Sequence, residues 1–232
     1  MSKTLFDGPP NLTDLNNGDG GPMTIPVGHS TTTGSLLQMP PLTSFLGPFQ
    51  KDLFFRVESK RTIPDEISFD PCPLSQIELP HLDRDTVNEL VENYFALVNP
   101  QHPILDREEF IGSYKAVLDG SLQHDIDSAL CLVILSLGTA ACEQPVASTT
   151  DWLPGIQYFT PGLKILLILW PTSFGTSVNL PQALYLAALY FSYLARPLLA
   201  WRFVHIASTN LQHLLIRYLT ISVGIILEYL AS

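Results

Sequence analysis

An all-α fold is predicted for this chain: an antiparallel array of about six paired helices, preceded by a disordered Pro- and Gly-rich N-terminal segment. Three observations carry that prediction. Apolar residues recur at helical spacing between 83 and 218, start and stop residues flank those runs, and nothing alternates with period two over a useful length.

The N-terminal third departs from this pattern. Residues 1–80 hold 11 of the 19 prolines and 7 of the 14 glycines. Residues 1–44 show no sustained period and are expected to be mostly disordered. Residues 45–80 read as a linker with one apolar cluster (Phe45, Leu46, Phe49, Leu53, Phe54, Phe55, Val57), expected to dock as a short helix or turn. An extended stretch through Pro71, Pro73 and Pro80 follows.

The helical domain is expected over 81–218. In 83–98, Val87, Leu90, Val91, Tyr94, Phe95 and Val98 form one helical stripe, with Asp83 and Asp85 at the end where acids favour a helix start. Pro100 stops it. Asp106 followed by Glu109 is a capping-box pattern, and Leu105 with Phe110 occupies the two positions of a hydrophobic staple. Phe110, Tyr114, Val117 and Leu118 make the buried face, and Gly120 is expected to take the left-handed position after the helix. Residues 125–142 are apolar all round after Asp125 and Asp127, which places that helix in the middle of a packed structure. Further helices are expected at 152–170, 180–195 and 197–218. Pro181 and Pro197 lie near helix starts, where a missing N–H is harmless. The last helix is expected to bury Ala200, Phe203, Val204, Ala207, Leu211, Leu214 and Tyr218 on one side, and 219–232 is an atypical apolar tail.

Charge and motifs exclude several functions. The formal charge is −10, and Lys60-Arg61 are the only adjacent basic residues, so no basic stripe exists for gripping nucleic-acid phosphates. Three cysteines (Cys72, Cys131, Cys142) without a CxxC pair support neither a disulfide scaffold nor a cysteine zinc site, and they read as free thiols. The sequence has no GxSxG, HExxH or GxxxxGK[ST], and its six histidines show no ligand spacing, so no enzyme activity and no bound cofactor or metal is expected. Tyr185, Tyr190, Phe191, Tyr193, Trp201 and Phe203 read as core residues, with a small-molecule pocket between helices as the alternative. Ile165 to Ala195 is uncharged, yet Pro171, Gly175 and Pro181 interrupt it, leaving apolar runs below the roughly 20 residues a bilayer span requires. Two buried helices are the preferred reading; a small membrane-associated helical protein is the alternative.

Four stretches resemble one family. YFALVNPQHPILDREEF (94–110), LVILSLGTAACE (132–143) and LPQALYLAALYFSYLARPLLAWRFVHIASTNLQHL (180–214) are similar, in order, to the fungal-specific transcription factor domain. That domain is the middle homology region of the binuclear zinc cluster regulators. TTTGSLLQMPPLTSFLGPFQKDLFFRVESKR (31–61) resembles the linker between zinc cluster and regulatory domain in some of these proteins. The resemblance covers about 45–215 and marks Tyr94, Phe95, Pro100, Pro103, Phe110, Arg196, Pro197, Trp201 and Arg202 as structural motif positions. It implies a nuclear transcription regulator that contacts itself or other regulators and takes a small-molecule effector, with DNA reached only through a zinc cluster. That cluster needs six close cysteines and a basic segment, which this sequence lacks, so zinc is carried onto no residue here. The family domain continues beyond Tyr218, and the chain therefore reads as truncated. That reading predicts an exposed apolar patch larger than a few hundred Å² and a chain that dimerises or aggregates.

Overall fold

The computed structural model describes residues 40–48, 50, 53–67, 69–142, 153–174 and 177–231, with side chains described as far as 219 and excepting 40 and 54. Among the described residues every regular element is helical. The helices are α1 (Pro40–Leu46), α2 (Leu53–Glu58), α3 (Arg84–Asn93), α4 (Arg107–Gly120), α5 (Ile126–Cys142), α6 (Ile156–Leu169), α7 (Asn179–Tyr193) and α8 (Pro197–Ala231). The chain divides into two units, Met1–Phe54 and Phe55–Ser232.

In the first unit, α1 closes through the Gly47 N–H donating to the Thr43 C=O at 3.0 Å. Helix Pro40–Leu46 overlaps the last five residues of the segment expected to be mostly disordered, and residues 1–39 lie outside the described residues. Of the apolar cluster expected to dock, Leu53 is half-buried. Phe45 is 85% exposed, and Leu46, Phe55 and Val57 are exposed as well. Phe49 and the Phe54 side chain lie outside the described residues.

In the second unit α5 is the centre. It packs against α3, α4, α6 and α7, and α8 packs on α7. Close approach comes from small residues. A Cβ on Gly138 would sit 2.1 Å from the Leu90 carbonyl oxygen, so only glycine lets α3 cross α5 there. Two hydroxyls within α5 bond their own helix: Ser136 Oγ donates to the Val133 C=O at 2.6 Å and Thr139 Oγ1 to the Leu135 C=O at 2.9 Å, while Ser128 Oγ accepts from the Gln123 N–H ahead of the helix at 2.9 Å.

Helix ends follow local chemistry. Asp83 accepts from the Thr86 N–H at 3.0 Å and Oγ1 at 2.7 Å, and these bonds lower its carboxyl pKa. Asp106 accepts from the Glu109 N–H at 2.9 Å, and Asp125 from the Ser128 N–H at 2.8 Å. Three boundaries differ from expectation. The positive φ after α4 falls on Ser121 (φ 69), with Gly120 still helical. α6 starts at Ile156, because the turn at Pro154-Gly155 (Gly155 φ +71) delays it. α8 runs through Tyr218 to Ala231 as one helix, so the tail has no backbone break.

Candidate functional site

The motif positions gather at two places and scatter at a third. The first is the segment after α3. Tyr94–Val98 forms a π-helical turn, with the Asn99 N–H donating five residues back to the Tyr94 C=O at 2.9 Å. The 83–98 stripe is thus not one regular helix. The extra residue rotates Tyr94, Phe95 and Val98 inward together; all three are buried. Phe95 meets the Tyr94 ring edge-on at 5.1 Å and lies 5.6 Å from Phe110, which stacks on Tyr114 at 5.8 Å. Arg107 caps the Phe95 ring at 5.8 Å and pairs with Glu92 through both carboxylate oxygens at 2.6 and 2.7 Å. Pro100 and Pro103 are exposed, on a loop that Gln182 Nε2 holds by donating to the Ile104 C=O at 3.0 Å. His102 Nδ1 and the Tyr185 hydroxyl, 3.2 Å apart, tie the same loop to α7. Tyr94, Phe95 and Phe110 are packing residues. Burial, with Tyr185 nearby, pushes the Tyr94 hydroxyl pKa upward.

The second place is the α7–α8 turn. Leu194, Ala195 and Arg196 close α7 in a Schellman motif: the Arg196 N–H reaches the Phe191 C=O at 2.8 Å and the Ala195 N–H the Ser192 C=O at 3.0 Å. Ala195 holds the left-handed position (φ 52) that glycine usually takes. Pro197 then opens α8 where its missing N–H costs nothing. The Arg196 guanidinium is buried, donates to the Thr62 C=O, and lies 3.9 Å from Glu58. Glu58 is buried too and takes Arg61 at 3.0 Å, while Arg61 donates to the Ala195 C=O. Desolvation, then Arg61, lower the Arg196 pKa, and Glu58 opposes them. Sequence reasoning missed this clamp because Glu58 and Arg196 are far apart in the chain. Charged groups hold residues 58–62 against the α7–α8 turn here. Ile67 and Ile77 are buried with it, and the Thr160 hydroxyl donates to the Glu66 C=O at 2.8 Å.

The third set lies outside the core. Trp201 is 65% exposed, stacked on His205 at 5.8 Å, and Arg202 is exposed beside it. The core reading of Trp201 is thereby corrected, as it is for Val204, Leu211 and Tyr218, all exposed. The buried seam of α8 is Ala200, Phe203, Ala207, Asn210 and Leu214. Tyr190, Phe191 and Phe203 are core as expected, with Tyr185 and Tyr193 half-buried.

Two grooves are large enough to hold a small molecule. One of about 400 Å³ lies between α3 and α4, with Val91, Ile111 and Leu118 as apolar wall and Arg84, Glu92 and Lys115 as charged lining. One of about 310 Å³ is lined by Phe69, Cys72, Lys164, Leu167 and Ile168. Among the described residues no group of three His, Cys, Asp or Glu is placed to hold a metal ion. Three cysteines cannot supply the six thiolates of a binuclear zinc cluster. Cys72 is half-buried and Cys142 exposed, and burial, reinforced by Asp127 and Asp125, pushes the Cys131 thiol up to about 12. Among the described residues no helix is long and apolar enough to cross a membrane.

Helices packed around α5, two grooves and one outward apolar face define an all-helical domain with surfaces to offer. Residues 91–216 match the family model of the fungal specific transcription factor domain, and the chain belongs to that family. No curated protein and no solved structure matches the chain.

Proposed function

We propose that residues 81–218 act in the nucleus as a regulatory module of transcription, without enzymatic activity, through contacts with other regulators or with a second copy. The observation that carries this reading is the family match over 91–216, a family of transcription factors. The acidic charge of −10 supports action through protein contacts in preference to phosphate contacts of its own. The groove between α3 and α4 favours a second function of the same module, the sensing of a small molecule with an apolar body and charged ends.

A reporter assay tests the first reading. The chain fused to an unrelated DNA-binding domain should change transcription from that domain's operator, and a fluorescent fusion should collect in the nucleus. An inert, cytoplasmic fusion contradicts it. A thermal-shift screen of charged metabolites tests the second: a ligand whose shift disappears when Asn88, which also lines this groove, is changed in Asn88→Leu supports the groove, and a shift unaltered by that change removes it.

A further inference from the structure

α8 carries two apolar seams, of which the core fills one. Ala200, Phe203, Ala207 and Leu214 are buried, with Asn210 between them donating from Nδ2 to the Ile206 C=O at 2.9 Å. One residue further round, Trp201, Val204, Leu211, Leu215 and Tyr218 repeat the same three–four spacing and are all exposed. Ile216 and Leu219 extend the exposed apolar surface. At about 3.6 residues per turn, the outer seam borders the buried one on one side. On its other side come Arg202, His205, His213 and Arg217, all exposed. No Asp or Glu lies between Pro197 and Leu219, in a chain of net charge −10.

We infer that this outer seam docks an amphipathic helix of another protein whose polar flank is acidic. The inference rests on the reading that the domain works through protein contacts, and it names the chemistry of the partner. A row of apolar side chains at this spacing is the surface into which an apolar helix face packs. The guanidiniums of Arg202 and Arg217, with the His205 and His213 imidazoles as further polar groups, select acid on the flank that leaves the seam. A second copy fits poorly. Two α8 helices face to face would bring Arg202 and Arg217 together with no Asp or Glu between Pro197 and Leu219 to offset them. The exposed acids of α3 and α4, among them Glu89, Glu92, Glu108 and Glu109, have no apolar strip beside them: between residues 70 and 173 the one exposed large apolar side chain among the described residues is Leu97. Phe55 and Val57 are exposed and apolar but flank Arg56 in the sequence, and Phe45 and Leu46 have no acid within five residues in the sequence. Ile63 and Phe69 are exposed beside Asp65, Glu66 and Asp70, but they lie outside any helix and make no helical apolar row to match the seam.

The test uses the full chain and a labelled designed helical peptide, with leucines at i, i+3, i+4 and i+7 and glutamates elsewhere, against its lysine counterpart. Fluorescence anisotropy should show the acidic peptide binding at least about tenfold more tightly, with the gap shrinking at high salt. Leu215→Ser and Arg202→Glu should each weaken it about fivefold or more without moving the thermal midpoint, because both side chains are exposed. Equal binding of both peptides, or binding of neither, overturns the inference. So does sedimentation showing a dimer that Leu215→Ser dissolves, which assigns the seam to a second copy. Peptide binding with an inert reporter would contradict the transcriptional reading while leaving the seam's chemistry standing. An active reporter whose output ignores Leu215→Ser and Arg202→Glu, with no peptide bound, would do the reverse.

Discussion

Twelve of the seventeen residues of α5 are buried, whereas among the described side chains of α8 burial recurs only at Ala200, Phe203, Ala207, Asn210 and Leu214. Both helices are rich in apolar side chains, so composition does not separate them. What separates them is whether neighbours can come close. α5 offers Gly138 to the Leu90 carbonyl and receives Gly162 of α6 against its Ala129 carbonyl, and its Ser136 and Thr139 hydroxyls are satisfied on its own backbone. α8 meets α7 along one seam and turns Trp201, Leu215 and Tyr218 outward. An apolar helix is core where small residues admit partners on every side, and surface where bulky residues find none.

The largest expected effect breaks the α5 side of this contrast. Gly138→Val would drive side-chain atoms into the Leu90 backbone, and should cost at least about 3 kcal/mol or abolish folding, read by urea denaturation. Next comes the clamp. Arg196→Ala removes the donor to the Thr62 C=O and leaves the buried Glu58 to Arg61 alone; a loss of about 1–3 kcal/mol is expected in the same assay.

Alkaline pH sharpens the contrast further. The Cys131 and Tyr114 pKa values are each raised to about 12, chiefly by burial, above ordinary values of 9.0 and 10.0. The unfolded chain therefore releases these protons first. Their contribution is fully present below pH 9 and should be lost as pH rises from about 9 to 12. Denaturation midpoints should fall over that window, and Cys131→Ala should flatten its lower part. The smallest effect has the opposite sign. Ala195→Gly relieves the left-handed strain at the α7–α8 turn and should stabilise the chain by about 0.5–1 kcal/mol, net of glycine's greater freedom when unfolded.

Much of this was legible because it is local. Asp83, Asp106 and Asp125 cap where short-range chemistry put them, and the all-apolar run in 125–142 announced a central helix. Long-range features were not legible. The π turn at Tyr94–Val98 keeps an apolar pattern compatible with an ordinary helix. The Glu58–Arg196 clamp joins residues with no common periodicity. α8 misled because its two seams lie one residue apart, so either set satisfies helical spacing, and only the packing of α7 decides which is buried. Of the motif positions, Tyr94, Phe95, Phe110 and Arg196 are held by packing or ion pairs; Trp201 and Arg202 face outward, where conformational stability does not require them.

The contrast between the helices is tested most directly by one matched pair of truncations, Leu135→Ala in α5 and Leu215→Ala in α8, compared by equilibrium denaturation. Leu135 is fully buried and Leu215 is 51% exposed. The expected costs are about 2–5 kcal/mol for Leu135→Ala and within about 0.5 kcal/mol for Leu215→Ala. Equal, large costs at both positions would mean that the outer seam of α8 is already packed, and would contradict the account of it as an open docking face.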